Sequence, residues 1–410
     1  MEIKPILSAL LRNKTGPILV ALQVALSLGI LANALHIVNE RREVAARPSG
    51  MADESSVFYF QVRNLNNDTP EQQLAAMKRE VEVLRAVPGV VAVANVSQMP
   101  LSRSGSNSSV ALDRRQERET TLASQYVTAD SLIKAYGLKL VEGRDFLPQE
   151  INDINENEQA EFPKALIISK PLADKLWPGQ PAVGKTMFFG TGEGAFETQV
   201  VGVVERLQSA HAEVGERGEF SSITPARLYG NPGSLYAVRA EPGQRDRVMK
   251  EAEEALRKSS ATPMILTAKT TEEDRANRYR ADVALSWMLI TVSVLLLLIT
   301  CSGIVGMASL WVTQRRKQIG VRRALGARKI DILRYFITEN VMITSAGVFG
   351  GILFGIGLNH LLVAKLEMAR LPIAYLGGGA VAFWSLGILA AYGPAWRAAS
   401  ISPALATRSA

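Results

Sequence analysis

Three histidines, one cysteine and one glycine-lysine turn are the places where this sequence could carry recognisable chemistry. His36, His211 and His360 lie far apart and Cys301 stands alone, which excludes an internal disulfide framework and a cysteine-cluster metal site. His211 with Glu213 and Glu216 could offer imidazole and carboxylate ligands to a cation, but an exposed polar loop accounts for the same residues more simply. The stretch GQPAVGKT at 179–186 fulfils the literal phosphate-loop pattern. A working phosphate loop follows a buried strand and opens a helix. Here helix-like 172–177 precedes and strand-like 187–189 follows, so a turn is expected. No nucleophile stands beside a base. The expectation is a non-catalytic chain with no cofactor and no metal site of its own.

What the chain does concentrate is positive charge. Between 314 and 334 stand Arg315, Arg316, Lys317, Arg322, Arg323, Arg328, Lys329 and Arg334 against the single acid Asp331, which accounts for the whole formal excess of +7. The remainder is neutral, so the balance does not point to a nucleic-acid-binding surface. Across 410 residues, 47% are hydrophobic and 21% charged, and mean hydropathy is only +0.09. The apolar residues must therefore be clustered.

They are. Residues 283–312 contain no charge and exceed the roughly 20 residues needed to cross a hydrocarbon core. Trp287 and Trp311 near its ends are placed as interfacial anchors, roughly 36 Å apart at about 1.5 Å per residue. Further spans are expected at 341–363 and 373–392, with Trp384 packing inside the last. The first apolar run, 17–38, follows Lys4, Arg12 and Lys14 and is either a span or a signal peptide with an A-x-A-like site at 32–34. Its length favours an uncleaved anchor. The positive-inside rule puts 1–16, the basic loop 313–340 and the tail 393–410 in the cytoplasm, with 39–281 and the short link 364–372 outside.

The outside segment reads as mixed α+β, long enough for two lobes. Strands are expected at 56–62, 90–96, 165–169, 198–204 and 264–267, and helices at 70–86, with Thr69 as N-cap, and at 242–258. The acidic, Asn-rich stretch 149–161 reads as a mobile surface loop.

The basic patch QRRKQIGVRRALGAR at 314–328 resembles the R-x-x-E-I-G-x-x-x-A-x-G-A element of FtsX-like, MacB-like ABC transporter permeases. Arg315, Gln318, Ile319, Gly320, Ala324, Gly326 and Ala327 fill its positions, with Gln318 where the family usually has Glu. The ending PAWRAASISPAL at 394–405 resembles the family's P-A-x-R-A-x-x-x-x-P-x-x-A-L, one residue shorter before its Ala-Leu pair. GRDF at 143–146, 165–178, Gly184-Lys185 and VVGVV at 200–204 resemble the MacB-type periplasmic core.

The resemblance implies a permease subunit with four spans in a bacterial inner membrane, a periplasmic domain between the first two, and a cytoplasmic coupling helix between the second and third. Arg315, Gln318, Ile319, Gly320, Arg322, Arg323, Ala324, Gly326 and Ala327 would contact a separate cytoplasmic ABC ATPase dimer, which holds the ATP and magnesium. Ile319, Val321, Leu325 and Ile330 could supply apolar contact, and Gly320, Ala324 and Gly326 allow close approach. A basic loop serving only topology or anionic lipid is the plainer reading. Gly347, Gly351 and Gly355 share one helix face, for packing inside the subunit or against a second permease. The implied function is ATP-driven export or efflux by mechanotransmission, in a heterodimer or a homodimer, with a periplasmic adaptor and outer-membrane factor as further candidate partners. The alternative is a regulatory scaffold that activates a cell-wall hydrolase or a sensor.

Overall fold

The computed structural model describes residues 8, 10, 14–66, 68–158, 163–260, 262–366 and 369–401. The basic residues Lys4 and Arg12, positions 159–161 of the acidic stretch, part of the link 364–372 and the closing Pro403 to Leu405 lie outside them. The chain divides into two compact units, one made of Met1–Glu43 and Asp282–Ala410, the other of Val44–Ala281.

The first unit is helical. Four helices are long and apolar enough to cross a membrane: α1 (Thr15–Ala45), a long helix at Thr271–Gln314, and two more at Lys329–Leu366 and Ile373–Ala399. Helix α1 continues past residue 38, where the apolar run ends, because nothing in the polar NERRE stretch at 39–43 breaks a helix. Its Val24 and Leu28 are fully buried against Ile304, Ile343, Val348, Ala380 and Phe383. The glycines of the 347–355 face lie along α1. A Cβ on Gly347 would stand 2.7 Å from the Ala21 carbonyl oxygen and from Val24 Cβ, and one on Gly351 would stand 2.9 Å from Leu28 Cβ. The face is therefore used, at least in part, for packing inside the subunit. Three polar contacts tie the helices of this core together: Ser27 Oγ with Thr300 Oγ1 at 2.8 Å, Asn33 Nδ2 donating to the Gly355 carbonyl at 3.1 Å, and Asn340 Nδ2 to that of Gly387 at 3.1 Å. Trp384 is half-exposed rather than packed, and its Nε1 donates to Ser345 Oγ.

The second unit mixes sheets and helices. Strands β1 (Val57–Asn64), β2 (Val90–Asn95), β11 (Gly233–Ala240) and β12 (Met264–Thr270) form an antiparallel sheet in the order β12-β1-β11-β2. One face carries α2 (Pro70–Arg85) and α5 (Arg245–Ser259), which bury Val81, Leu84, Val248 and Leu256 against Phe58, Phe60 and Val238. Thr69 caps α2 in a full capping box with Gln72. Between β2 and β11 the chain makes a second, eight-stranded sheet: β3 (Asn107–Ala111), β4 (Thr121–Thr128), β5 (Leu140–Gly143), β6 (Asn152–Asn155), β7 (Ala165–Ser169), β8 (Thr186–Phe189), β9 (Phe196–Val204) and β10 (Ser221–Tyr229). Since β4 also pairs with β10, the path β4-β3-β8-β9-β7-β10 closes on itself. The short helix α3 (Leu132–Tyr136) packs on β2 and β11 of the first sheet, α4 (Lys170–Leu176) packs on β7 and β9 of the second, and Tyr59, Tyr126, Tyr136, Ile167 and Ile223 join the cores of the two sheets.

One expectation changes here, and another holds. The stretch 149–161 is not simply a loop: β6 lies within it and pairs with β10, because Ile154 packs on Val127 and Ala226. The phosphate-loop look-alike joins α4 to β8, with Gly179 and Gly184 at φ +69° and +85°, and no helix follows. The described residues hold no group of three metal-ligating side chains, and His211 instead offers its carbonyl to Arg278.

Candidate functional site

The basic patch folds as α7 (Arg316–Ala324), set between α6 (Thr271–Gln314) and α8 (Lys329–Leu366) and packed near the end of α9 (Ile373–Ala399). It lies entirely within the first unit. Helix α7 ends in a Schellman turn, with the Ala327 N–H donating to the Arg322 carbonyl at 3.0 Å and the Gly326 N–H to that of Arg323 at 3.2 Å. Gly326 sits at φ +99° with open space around it, so within the chain it supplies backbone conformation rather than close approach. Asp331 then starts α8 by accepting from the Arg328 N–H at 2.9 Å.

The sequence-identified residues separate into two faces. Ile319 is buried with Ile332, Leu333, Phe336, Ala395, Ala398 and Ala399, and Ala327 packs at the edge of the same cluster, while Gly320 is buried beside it. Arg315 turns inward too, its Nη1 donating to both carboxylate oxygens of Glu339 at 2.9 and 2.8 Å, with the Glu339 side chain only 1% exposed. Arg315 also lies over the Trp311 ring, and Arg322 over that of Tyr335. Arg323 donates to the Ala327 carbonyl across the turn. Outward stand Gln318, Val321, Ala324, Leu325 and Ile330, with Leu325 83% exposed.

Sequence reasoning treated Ile319, Val321, Leu325 and Ile330 as one apolar contact set. The fold assigns Ile319 to its own bundle and leaves the other three on the surface. It also missed Glu339. The only signal is a carboxylate five residues after the last arginine of the patch, just ahead of the apolar run 341–363. An ion that close to a span is retained where it has a partner.

An arginine-anchored turn that thrusts an exposed leucine from a four-helix bundle can be compared with known proteins. A model of the MacB-like periplasmic core domain matches residues 20–256, over half of the chain, and one of the FtsX-like permease C-terminal region matches 290–403. The chain belongs to the MacB-like, FtsX-like permease family. It is an integral membrane protein of the ABC transporter permease class. The pyoverdine export ATP-binding/permease protein PvdT of Pseudomonas savastanoi pv. phaseolicola is 30% identical over 221 residues, 52% of this chain and 33% of that protein. The macrolide export ATP-binding/permease protein MacB of Agrobacterium fabrum is 28% identical over 281 residues, 65% of this chain and 40% of that protein. This permease thus spans less than half the length of either relative. Among solved structures, the periplasmic region of MacB from Actinobacillus actinomycetemcomitans aligns with 57% of this chain and 97% of its own, at 11% identity and a TM-score of 0.34.

Proposed function

We propose that this permease is the non-catalytic membrane subunit of a type VII, MacB-like ABC transporter in the bacterial inner membrane, with both termini cytoplasmic. A separate ATPase dimer holds ATP and magnesium and pushes on α7 when it closes. Helix α6 carries that motion to a periplasmic domain, whose four-stranded and eight-stranded sheets act as two lobes. The observation that carries the reading is the division of α7. One side is fixed to the bundle by Ile319 and the Arg315–Glu339 pair, and the other offers Val321 and Leu325, with Ile330 of α8 exposed after the turn, beside Gln318 and the remaining charge. A force-bearing contact needs both a rigid mount and an apolar surface that a partner can cover. A loop serving topology alone needs neither.

Export of a substrate from the periplasm is supported by the relatives, whose names describe export of pyoverdine and macrolides. A second permease completes the assembly. Gln318, exposed where the family usually has Glu, favours a heterodimer whose other half keeps the acid. The test is affinity purification of tagged Leu325→Asp from native membranes. The variant should lose the co-purifying ATPase while its periplasmic domain keeps wild-type protease resistance. Undiminished recovery of the ATPase would refute the coupling role of this surface.

A further inference from the structure

Within Val44–Ala281, two loops, 99–106 and 206–218, meet the first turns of α6. They pair with each other through the Leu101 N–H to the Ser209 carbonyl at 3.3 Å and the Arg103 N–H to that of Ala210 at 2.9 Å. Leu101, Arg103 and Ala212 adopt φ of +67°, +62° and +46°, and they are the only non-glycine residues among those described with positive φ. Left-handed backbone is unfavourable for side chains carrying a Cβ and persists only where the surroundings impose it. The surroundings here are specific. Leu101 and Ala212 are fully buried with Val44 and Tyr279. Arg278 donates from Nε to the His211 carbonyl at 2.9 Å and from Nη2 to that of Ala212 at 2.8 Å. Gln208 Nε2 donates to the Tyr279 hydroxyl at 3.2 Å, and Tyr126 donates to the Gln208 carbonyl at 2.6 Å.

One turn earlier on α6, Arg275 grips the chain that leaves α1. It donates to both carboxylate oxygens of Glu54 at 2.7 and 2.6 Å, and to the carbonyls of Ala45 at 2.8 Å and Arg47 at 3.1 Å. Positions 275, 278 and 279 share one face of a helix. A single face therefore holds both the segment after α1 and the strained loop pair. Guanidinium hydrogen bonds are directional, so a small shift of α6 would break both Arg278 contacts together and release the left-handed turn at Ala212, on which the paired loop 99–106 rests.

We propose that Arg275 and Arg278 are positioning residues of a two-state joint: Arg278 holds loops 99–106 and 206–218 in their strained arrangement until α6 moves, and Arg275 makes the chain after α1 move with α6. The joint rests on the coupling reading above for the origin of the motion. Its mechanics can be tested apart from that reading.

Hydrogen exchange, read by mass spectrometry on the full chain in lipid nanodiscs, provides the first arm. Arg278→Ala should speed exchange in both loops by about tenfold while β1 and β11 keep wild-type rates. Ala212→Gly should slow it by about threefold, because glycine accepts positive φ without strain. Unchanged loops in Arg278→Ala, or loosening spread evenly over the whole unit, would overturn the joint. In the second arm, ATP with vanadate is added to the complex purified with its ATPase. The two loops should exchange faster in the wild type and respond less in Ala212→Gly. A nucleotide response in the periplasmic domain that bypasses these loops overturns the joint and leaves the coupling reading standing. If no ATPase co-purifies, it is the coupling reading that falls, and the first arm still decides the joint.

Discussion

At the scale of single residues, the buried ion pair of Arg315 and Glu339 connects the basic patch to its bundle. Burying a carboxylate is costly, and removing one partner leaves the other uncompensated, typically at about 3–5 kcal/mol. Arg315→Ala should accordingly lower the melting temperature of detergent-purified protein sharply, and the double variant Arg315→Met, Glu339→Leu should recover most of the loss. If the double variant melts as low as the single one, the pair is not what mounts α7. A second buried acid, Glu80, faces the four-stranded sheet and accepts from the Tyr236 hydroxyl. Burial pushes its carboxyl above the usual glutamate range, and the tyrosine only partly offsets this. The folded state therefore keeps the proton to higher pH than the unfolded chain, so this group's contribution to stability is full below the ordinary glutamate range and declines as pH rises through the raised value. Glu80→Gln should flatten that decline and melt at or above the wild type at neutral pH. Parallel wild-type and variant profiles of melting temperature against pH would contradict this.

At the scale of elements, α1 and α8 approach closely because Gly347 and Gly351 have no side chains. The Cβ of Gly347→Ala would meet a backbone oxygen, which cannot move aside as a flexible side chain could. Overpacking of this kind costs about 1–3 kcal/mol. Gly347→Ala should lower the melting temperature, while Gly357→Ala on the same helix, with nothing within 4 Å, should not. Equal melting of the two variants would mean that the contact between α1 and α8 is not tight. The Schellman turn makes a different demand. Gly326→Ala should weaken α7 through backbone strain alone, although the site has room for a methyl group.

At the scale of the whole molecule, the proposed topology puts α7 in the cytoplasm and Val44–Ala281 outside, a reading supported by the four apolar helices and the concentration of charge at 314–334. Single cysteines introduced at Ser106 and at Lys329, both exposed, in a Cys301→Ser background report on this arrangement. In intact cells, a membrane-impermeant maleimide should label the first and spare the second. The reverse pattern would invert the topology.

Much of this was legible from the chain because its signals are local. Long uncharged runs, the +7 patch, the capping Thr69 and the ALII run of β7 each follow from neighbouring residues. Strand β10 was not legible: Pro225 and the buried Ser221, Ser222 and Thr224 argue against a strand, yet it pairs with β4, β6 and β7. Strand β11 is flanked by β1 and β2 and loses the alternation that would mark it. By itself the sequence determined which segments are apolar enough to span and where the charge collects, since both depend on composition along the chain. Which partner the glycine face meets, that Ile319 turns inward while Leu325 does not, and that Glu339 and the left-handed loops take part at all were decided only in three dimensions. Those outcomes depend on contacts between residues far apart in the chain, and no local pattern records them.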